Sequence, residues 1–173
     1  MTRIHFLLMA VAMLAGSIAW MVPASGQADK AAAPVYLTKM PSGFRDWQLI
    51  SVAHEAGKLN SLGAMLGNEV AMKAYREKTL PYPDGTIIAA LHYTHLPNAE
   101  NNAVFGDVQS YTPGPPSNYQ FMVKDSKKFA ATGGWGFGSF TPEGKAFTDA
   151  QMKTCAPCHA KASRDGVFTQ YAP

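Results

Sequence analysis

The pattern of apolar and polar positions predicts several short strands downstream of residue 46. Segments rich in strand-forming residues are expected at 47–53, 86–94, 104–111, 118–124 and 135–140. In the second of these, side chains alternate between two faces, so that Ile88, Ala90 and His92 share one face of the strand. The strands are irregularly interrupted, which favours an antiparallel sheet.

Helical signals lie between and after these strands. Asn68 is a suitable N-cap for a helix over 69–78, and Thr148 with Gln151 forms a capping-box pattern near the C-terminus. A helical turn is expected at 126–131 and loops at 98–102 and 113–116, the latter because proline cannot donate to a strand ladder. The predicted fold class is α+β: a mainly antiparallel β-sheet with a few short helices, in which the C-terminal helix carries two cysteines.

The last predicted strand alternates aromatic residues with glycine. Trp135 and Phe137 would give one face large rings, whereas Gly136 and Gly138 leave the other face almost bare. Glycine inside a strand often marks a place where another group approaches the backbone. A flat macrocycle and a tightly packed helix both fit this pattern.

The N-terminus has the features of a secretory signal peptide. Arg3 precedes an apolar run that ends near Pro23, and small residues follow to Ala28. We therefore predict a signal peptide at 1–28, a loosely attached lead-in at 29–46 and one exported domain at 47–173. An uncleaved N-terminal anchor is the alternative, because the run from Ile4 to Val22 is about long enough to cross a bilayer.

Composition adds little about partners. The chain has 173 residues, 16% of them charged, and a formal net charge of +3, which is too small to indicate nucleic-acid binding. We therefore expect no nucleic-acid partner.

The candidate chemistry lies in Cys155-Ala156-Pro157-Cys158-His159, a Cys-x-x-Cys-His motif. This spacing allows two thiols to add to the vinyl groups of one haem while the adjacent imidazole binds the iron, and it is typical of c-type haem attachment. We predict one covalently attached haem c, held by Cys155 and Cys158, with His159 as the iron ligand. A structural disulfide, a thioredoxin-like redox pair and a zinc site are the competing interpretations.

The motif lies late in the chain, which restricts the sixth iron ligand. Only 14 residues follow His159, and they include neither Met nor His. A sixth ligand must come from upstream, from His54, His92, His95 or a methionine, or else be absent. An open position suits binding of a small ligand, whereas a filled position suits electron transfer.

Several segments resemble the cytochrome P-460 family, which includes the cytochromes c′-beta. They are residues 83–88, 123–128, 133–136, 155–159 and 164–173. The resemblance extends from about Trp47 to the end of the chain. It implies a periplasmic, largely antiparallel β fold, usually a homodimer, with a c-type haem whose far side is open.

The resemblance also implies two alternative activities. Cytochrome P-460 proper oxidises hydroxylamine and has a lysine cross-linked to the haem, whereas the c′-beta members bind nitric oxide or carbon monoxide without that link. The lysine position corresponds to Ala90, and a distal carboxylate corresponds to Gln120, which cannot act as a general base. Lys73, Lys78 and Lys124 are the other lysines considered for the link.

The leading hypothesis is a five-coordinate haem protein that binds a small gaseous or nitrogenous ligand such as nitric oxide. Gln120, Ala90 and Phe121 are predicted to shape its distal pocket. The alternatives are a hydroxylamine-oxidising enzyme and a six-coordinate electron carrier with a periplasmic redox partner. Whether the protein is an enzyme stays open; if it is, we expect an oxidoreductase acting on hydroxylamine or nitric oxide.

Overall fold

The structure, a computed structural model, describes residues 35–172. The predicted signal peptide at 1–28, the first part of the lead-in at 29–34 and Pro173 lie outside the described residues. Among residues 35–172, no helix combines the length and the apolar character that a membrane span requires.

Five antiparallel strands form one sheet in which spatial order follows chain order. The strands are β1 (Gln48–Glu55), β2 (Ser61–Gly67), β3 (Ile87–Pro97), β4 (Tyr111–Lys124) and β5 (Trp135–Phe140). The helices are α1 (Glu69–Glu77), α2 (Ala99–Phe105), α3 (Asp149–Met152) and α4 (Cys155–His159). The predicted α+β class is confirmed, including the C-terminal helix that contains both cysteines.

Two helices begin where the sequence predicts. The Asn68 side chain accepts a hydrogen bond from the Ala71 amide (3.0 Å) at the start of α1. Thr148 and Gln151 form the reciprocal bonds of a capping box at the start of α3. Because α3 leads directly into α4, this cap helps to set where the cysteine motif begins.

Strand β2 was not predicted. Its sequence, residues 61–67, contains two glycines and no β-branched residue, so it lacks the usual strand composition. The glycines are needed for close packing, since a Cβ on Gly67 would lie 3.0 Å from the Cβ of Ala71 in α1. Tertiary contact therefore outweighs weak local propensity here.

The segment between β3 and β4 differs from the prediction. Residues 99–105, expected as a polar loop leading into a strand, form α2, and the Asn98 side chain accepts from the Asn101 amide (3.0 Å). This N-cap explains the helix, and Asn98 was not among the predicted caps. The expected helical turn at 126–131 is reduced to a 3-10 turn at Ala130–Thr132.

The prediction that residues 113–116 form a loop outside any ladder is wrong. Pro113 pairs with His95 and Pro116 with Tyr93, inside β4, with register shifts in this part of β3. Strand β5 pairs with β4 only from Tyr119 onwards. The first half of β4 is therefore paired on one side, and an edge of this kind tolerates residues that lack an amide hydrogen.

Residues 35–46, expected to be loosely attached, are bonded to the sheet. The Leu37 amide donates to Phe137 O (2.7 Å), and the Phe137 amide donates to Val35 O (3.0 Å). A 3-10 turn at Phe44–Asp46 buries Phe44 beside β4. The expectation of loose attachment is wrong for these residues, although the predicted domain boundary at residue 47 stays a prediction.

The two faces of the sheet belong to separate hydrophobic clusters. On one face, Ile88, Met122 and Phe137 pack with residues of α1 and with Cys155 of α4. On the other face, Leu91, Tyr119, Phe121 and Phe140 pack with Phe44. Strand alternation assigns neighbouring residues of β3, β4 and β5 to opposite clusters.

The glycines of β5 accommodate side chains. A Cβ on Gly136 would lie 2.3 Å from Phe129 Cζ, and a Cβ on Gly138 would lie 2.7 Å from Phe140 Cε2 and 3.0 Å from Leu37 Cβ. None of these neighbouring side chains belongs to a packed helix, so the expected helix is wrong; the macrocycle stays a prediction, and Gly138 borders the cavity beside the cysteine motif. The group that approaches the backbone is a phenyl ring in one case, and a ring and a leucine in the other.

Candidate functional site: the Cys-x-x-Cys-His helix and its cavity

The cysteine motif forms the short helix α4, which packs against β5. Both cysteines are free thiols; Cys155 is half-buried and Cys158 is exposed. Just before α4, Met152 of α3 is buried and anchors the approach to the motif. The helix thus presents one cysteine towards the interior and one towards solvent.

The competing interpretations of the cysteines find little support. Burial raises the pKa of the Cys155 thiol, and the neighbouring Cys158 raises it further. A reactive redox thiol requires a lowered pKa, so a thioredoxin-like role is disfavoured. Within residues 35–172, no three His, Cys, Asp or Glu side chains are grouped as a metal site would require.

His159 is oriented by the backbone that follows α4. Its Nδ1 lies 2.8 Å from Gly166 O, so Nδ1 carries the proton and donates to that carbonyl. The ring centroid lies 5.0 Å from that of Phe137 and 5.1 Å from that of Phe168. This arrangement leaves the lone pair of Nε2 for a metal, as in metal-binding histidines whose other nitrogen is hydrogen-bonded.

A cavity of about 260 Å³ adjoins the motif. Its helical side includes Met152, Cys155 and His159. Its sheet side is formed by three strands and includes Ile88, Ala90, Gln120, Met122, Phe137 and Ser139. The structure therefore brings the predicted distal residues Ala90 and Gln120 to the same cavity as Cys155 and His159.

Strand register explains this convergence. Ala90 is the partner of Gln120 across β3 and β4, and Gln120 is the partner of Ser139 across β4 and β5. Residues paired directly across antiparallel strands lie on the same face. A row of three small or polar side chains thus crosses the sheet beside the motif.

A larger cavity of about 670 Å³ lies next to the first one. Phe137 and His159 border both cavities, and Trp135, Pro157 and Gly166 border the larger one. His159 therefore borders two cavities, each lined largely by apolar groups.

Phe121 borders the smaller cavity and also belongs to the opposite hydrophobic cluster. Its ring packs edge-on against Phe44 (5.2 Å between centroids) and Phe140 (5.7 Å) in that cluster. Gln120 and Phe121 are consecutive in a strand, so their side chains point to opposite faces. The role predicted for Phe121 in the distal pocket therefore stays a prediction: it borders the cavity, while its ring packs in the other cluster.

The histidines considered as sixth ligands lie elsewhere in the sheet. His95 stacks on His54 (4.2 Å between centroids) and on Tyr111 (4.0 Å). His92 is buried, with Nδ1 3.6 Å from Glu55 Oε2. None of the three borders the smaller cavity, whereas the methionines Met122 and Met152 do.

The lysines considered for a haem cross-link do not border the smaller cavity. Lys73 and Lys78 are exposed on and just after α1. Lys124 is buried, and its Nζ donates to Gly133 O and to both carboxylate oxygens of Asp165, at 2.9–3.1 Å. The position aligned with the family's lysine, Ala90, borders the cavity and has no amine.

Two features of the site were missed from the sequence. Ser139 borders the smaller cavity, and its buried Oγ has no hydrogen-bond partner within residues 35–172. Buried Lys124 forms an ion pair with partly buried Asp165, whose neighbour Gly166 accepts the hydrogen bond from His159. The pairing of Ser139 with Gln120 across the strands could have indicated that Ser139 borders the cavity. The Lys124–Asp165 pair joins residues 41 positions apart, so no local pattern in the sequence indicates it.

These observations fit a c-type haem. Two unpaired thiols have the required spacing, an imidazole has one nitrogen fixed and the other available, and the neighbouring walls are mostly apolar. The orphaned Ser139 hydroxyl is explained if a bound group completes the cavity.

Comparison with known proteins agrees with the geometry. The sequence model of the family described as Cytochrome P460 matches residues 41–169, which is most of the chain and includes the whole motif. A search of curated proteins found no match. The chain therefore belongs to the cytochrome P460 family, and this membership supports its being a c-type haem cytochrome.

Proposed function

We propose that this protein is a periplasmic mono-haem cytochrome that binds nitric oxide at an open distal position. Cys155 and Cys158 would hold one haem through thioether bonds, and His159 Nε2 would be the axial ligand. The haem would supply the iron that binds the gas. The protein's own contribution is to hold His159 on one side and to shape a small, mainly apolar space on the other.

The observation that carries this proposal is the cavity shared by Cys155, His159, Ala90 and Gln120. The methyl side chain of Ala90 leaves room beside the motif, and apolar walls disfavour water and charged ligands. Gln120 and Ser139 can each donate a hydrogen bond to a small bound ligand. Space, apolar walls and a few convergent donors together suit a neutral diatomic ligand.

Hydroxylamine oxidation is less well supported by the same residues. Ala90 cannot form a cross-link, and Lys124 is already bonded to three oxygen acceptors. Gln120 replaces the carboxylate of the hydroxylamine-oxidising members and cannot take up a proton. The cavity thus lacks both groups that this activity would be expected to use.

One observation favours a second candidate, a six-coordinate electron carrier. Met122 and Met152 both border the cavity that His159 borders. A thioether from either residue could serve as a sixth ligand, which would close the distal position. The two candidates predict opposite behaviour towards added gas.

The test is the optical spectrum of the protein produced with haem-maturation machinery, oxidised and reduced, before and after addition of nitric oxide. We expect high-spin bands that shift on addition of the gas. Low-spin bands that the gas leaves unchanged would contradict the proposal and support the electron carrier.

Met122→Leu and Met152→Leu are the matched variants, because each removes a thioether at nearly constant volume. Under the proposal, neither changes the spin state.

The haem link and the cellular location have separate tests. A pyridine haemochrome spectrum of denatured protein should be that of ordinary haem c, since Ala90 has no amine to modify the ring. Periplasmic export rests on the predicted signal peptide at 1–28, and a homodimer rests on the family resemblance. Cell fractionation and sedimentation of the haem-loaded protein measure these two properties.

A further inference from the structure

The carbonyl that orients His159 belongs to an unusual turn. Asp165 and Gly166 both have positive φ angles, 51° and 78° respectively. A left-handed conformation is uncommon for residues other than glycine, and surrounding contacts hold Asp165 in it. Gly166 O, at the end of this turn, accepts the hydrogen bond from His159 Nδ1 at 2.8 Å.

Asp165 is held by three different groups. Lys124 Nζ donates to its carboxylate oxygens at 2.9 and 3.1 Å, and the Tyr82 amide donates to Oδ2 at 2.9 Å. The Trp135 indole N–H donates to the Asp165 backbone carbonyl at 2.7 Å. Both the side chain and the backbone of the strained residue are therefore fixed to the end of the sheet and to the loop after α1.

Lys124 is buried beside this turn, and its Nζ also donates to Gly133 O at 2.9 Å. It is the last residue of β4 and only 6% exposed, and its Nζ lies 4.9 Å from the centre of the Trp135 ring. A buried ammonium group requires a hydrogen-bonded anion, because desolvation penalises an isolated charge heavily. Asp165 supplies that anion, so the pair and the turn depend on each other.

We propose that the Lys124–Asp165 pair is a positioning device for His159, acting through the Gly166 carbonyl. A firmly held carbonyl acceptor at Nδ1 increases electron donation from Nε2 and so strengthens the iron–histidine bond. Stronger donation stabilises ferric relative to ferrous iron. The pair therefore helps to set the reduction potential of the haem, although neither residue touches His159 directly. This inference rests on His159 being the iron ligand, as proposed above.

The experiment uses the haem-loaded Asp165→Asn variant, which keeps the shape of the side chain but removes its charge. We expect the iron–histidine stretching band of the ferrous protein to move to lower wavenumber. We also expect the ferric-to-ferrous ratio at a fixed electrode potential to fall about tenfold, which equals 59 mV for a one-electron couple.

Two further variants separate positioning from general stability. Asp84→Asn is the matched control: Asp84 is exposed, its carboxylate accepts from the amide and hydroxyl of Ser126 at 2.8 and 2.7 Å, and within residues 35–172 no hydrogen bond joins it to Asp165. It should leave the stretching band and the potential unchanged. The double variant Lys124→Met with Asp165→Asn removes both charges, so that no unpaired ion is buried, and should reproduce the shifts of Asp165→Asn.

Unchanged stretching frequency and potential in the double variant, with haem bound, would overturn the proposal. Equal shifts in Asp84→Asn would overturn it as well, because they would show a general effect of lost stability. Failure of the proposed gas binding is distinguishable, since it would appear in the unmodified protein as a low-spin spectrum that nitric oxide does not change.

Discussion

The two faces of the sheet are built from the same strands but are filled differently. On the face with Phe121, aromatic rings pack edge to face, with Phe44 and Phe121 inclined at 82°. On the opposite face, Ala90, Gln120 and Ser139 leave space beneath α4. One face is completed by its own side chains, and the other contains a buried hydroxyl without a partner within residues 35–172.

This difference shows how one strand can serve both stability and chemistry. Because strand side chains alternate, Gln120 can face the cavity while the ring of the adjacent Phe121 packs among aromatic residues. A change on the packed face should therefore cost stability and spare the haem environment. A change on the cavity face should alter the haem environment and cost little stability.

The largest expected effect is that of Phe121→Ala on the packed face. Loss of a buried ring should reduce the free energy of unfolding by about 3–5 kcal/mol, because a cavity remains where its aromatic partners were. Chemical denaturation of the haem-loaded protein measures this, and the ferrous spectrum should stay unchanged in the folded fraction. Gln120→Leu is the paired variant, with a smaller loss of stability and an altered spectrum of the nitric oxide complex. Equal spectral changes in both would contradict the separation of the faces.

An intermediate effect is expected for Gly136→Ala. The new Cβ would lie 2.3 Å from the Phe129 ring, which is buried and cannot move aside, so overpacking should cost about 1–3 kcal/mol. Gly63→Ala on the other face is the control. Its Cβ would meet the flexible end of Met65 at 2.8 Å, which can move. Thermal denaturation should show the larger decrease in Tm for Gly136→Ala, and the opposite order would refute the comparison.

The smallest effect on stability, and the most informative for function, is expected for Ser139→Ala. The hydroxyl has no partner within residues 35–172, so its removal should change the denaturation midpoint little. A lost hydrogen bond to bound ligand, worth about 1 kcal/mol, should raise the dissociation rate of nitric oxide about fivefold. Stopped-flow measurement of that rate is the test. An unchanged rate would show that Ser139 does not contact the ligand.

Local signals were sufficient for part of the fold. The N-cap at Asn68, the capping box at Thr148 and the alternation of β3 predicted elements that the structure contains. Strand β2 and the proline-containing half of β4 were not predictable in this way. Their conformations depend on packing against α1 and on an unpaired sheet edge, and neither is visible in a single segment of sequence.

The sequence by itself determined the Cys-x-x-Cys-His motif, which is typical of haem attachment, because its two cysteines and histidine lie within five consecutive residues. Through the family resemblance, the sequence also indicated Ala90 and Gln120 as candidates for the distal pocket. Only the tertiary structure decided that the Phe121 ring packs against Phe44, that Ser139 borders the cavity, and that Lys124 and Asp165 support the turn beside His159. The physical reason is that strand register and buried ion pairs join residues distant in sequence, and local patterns carry no information about those pairings.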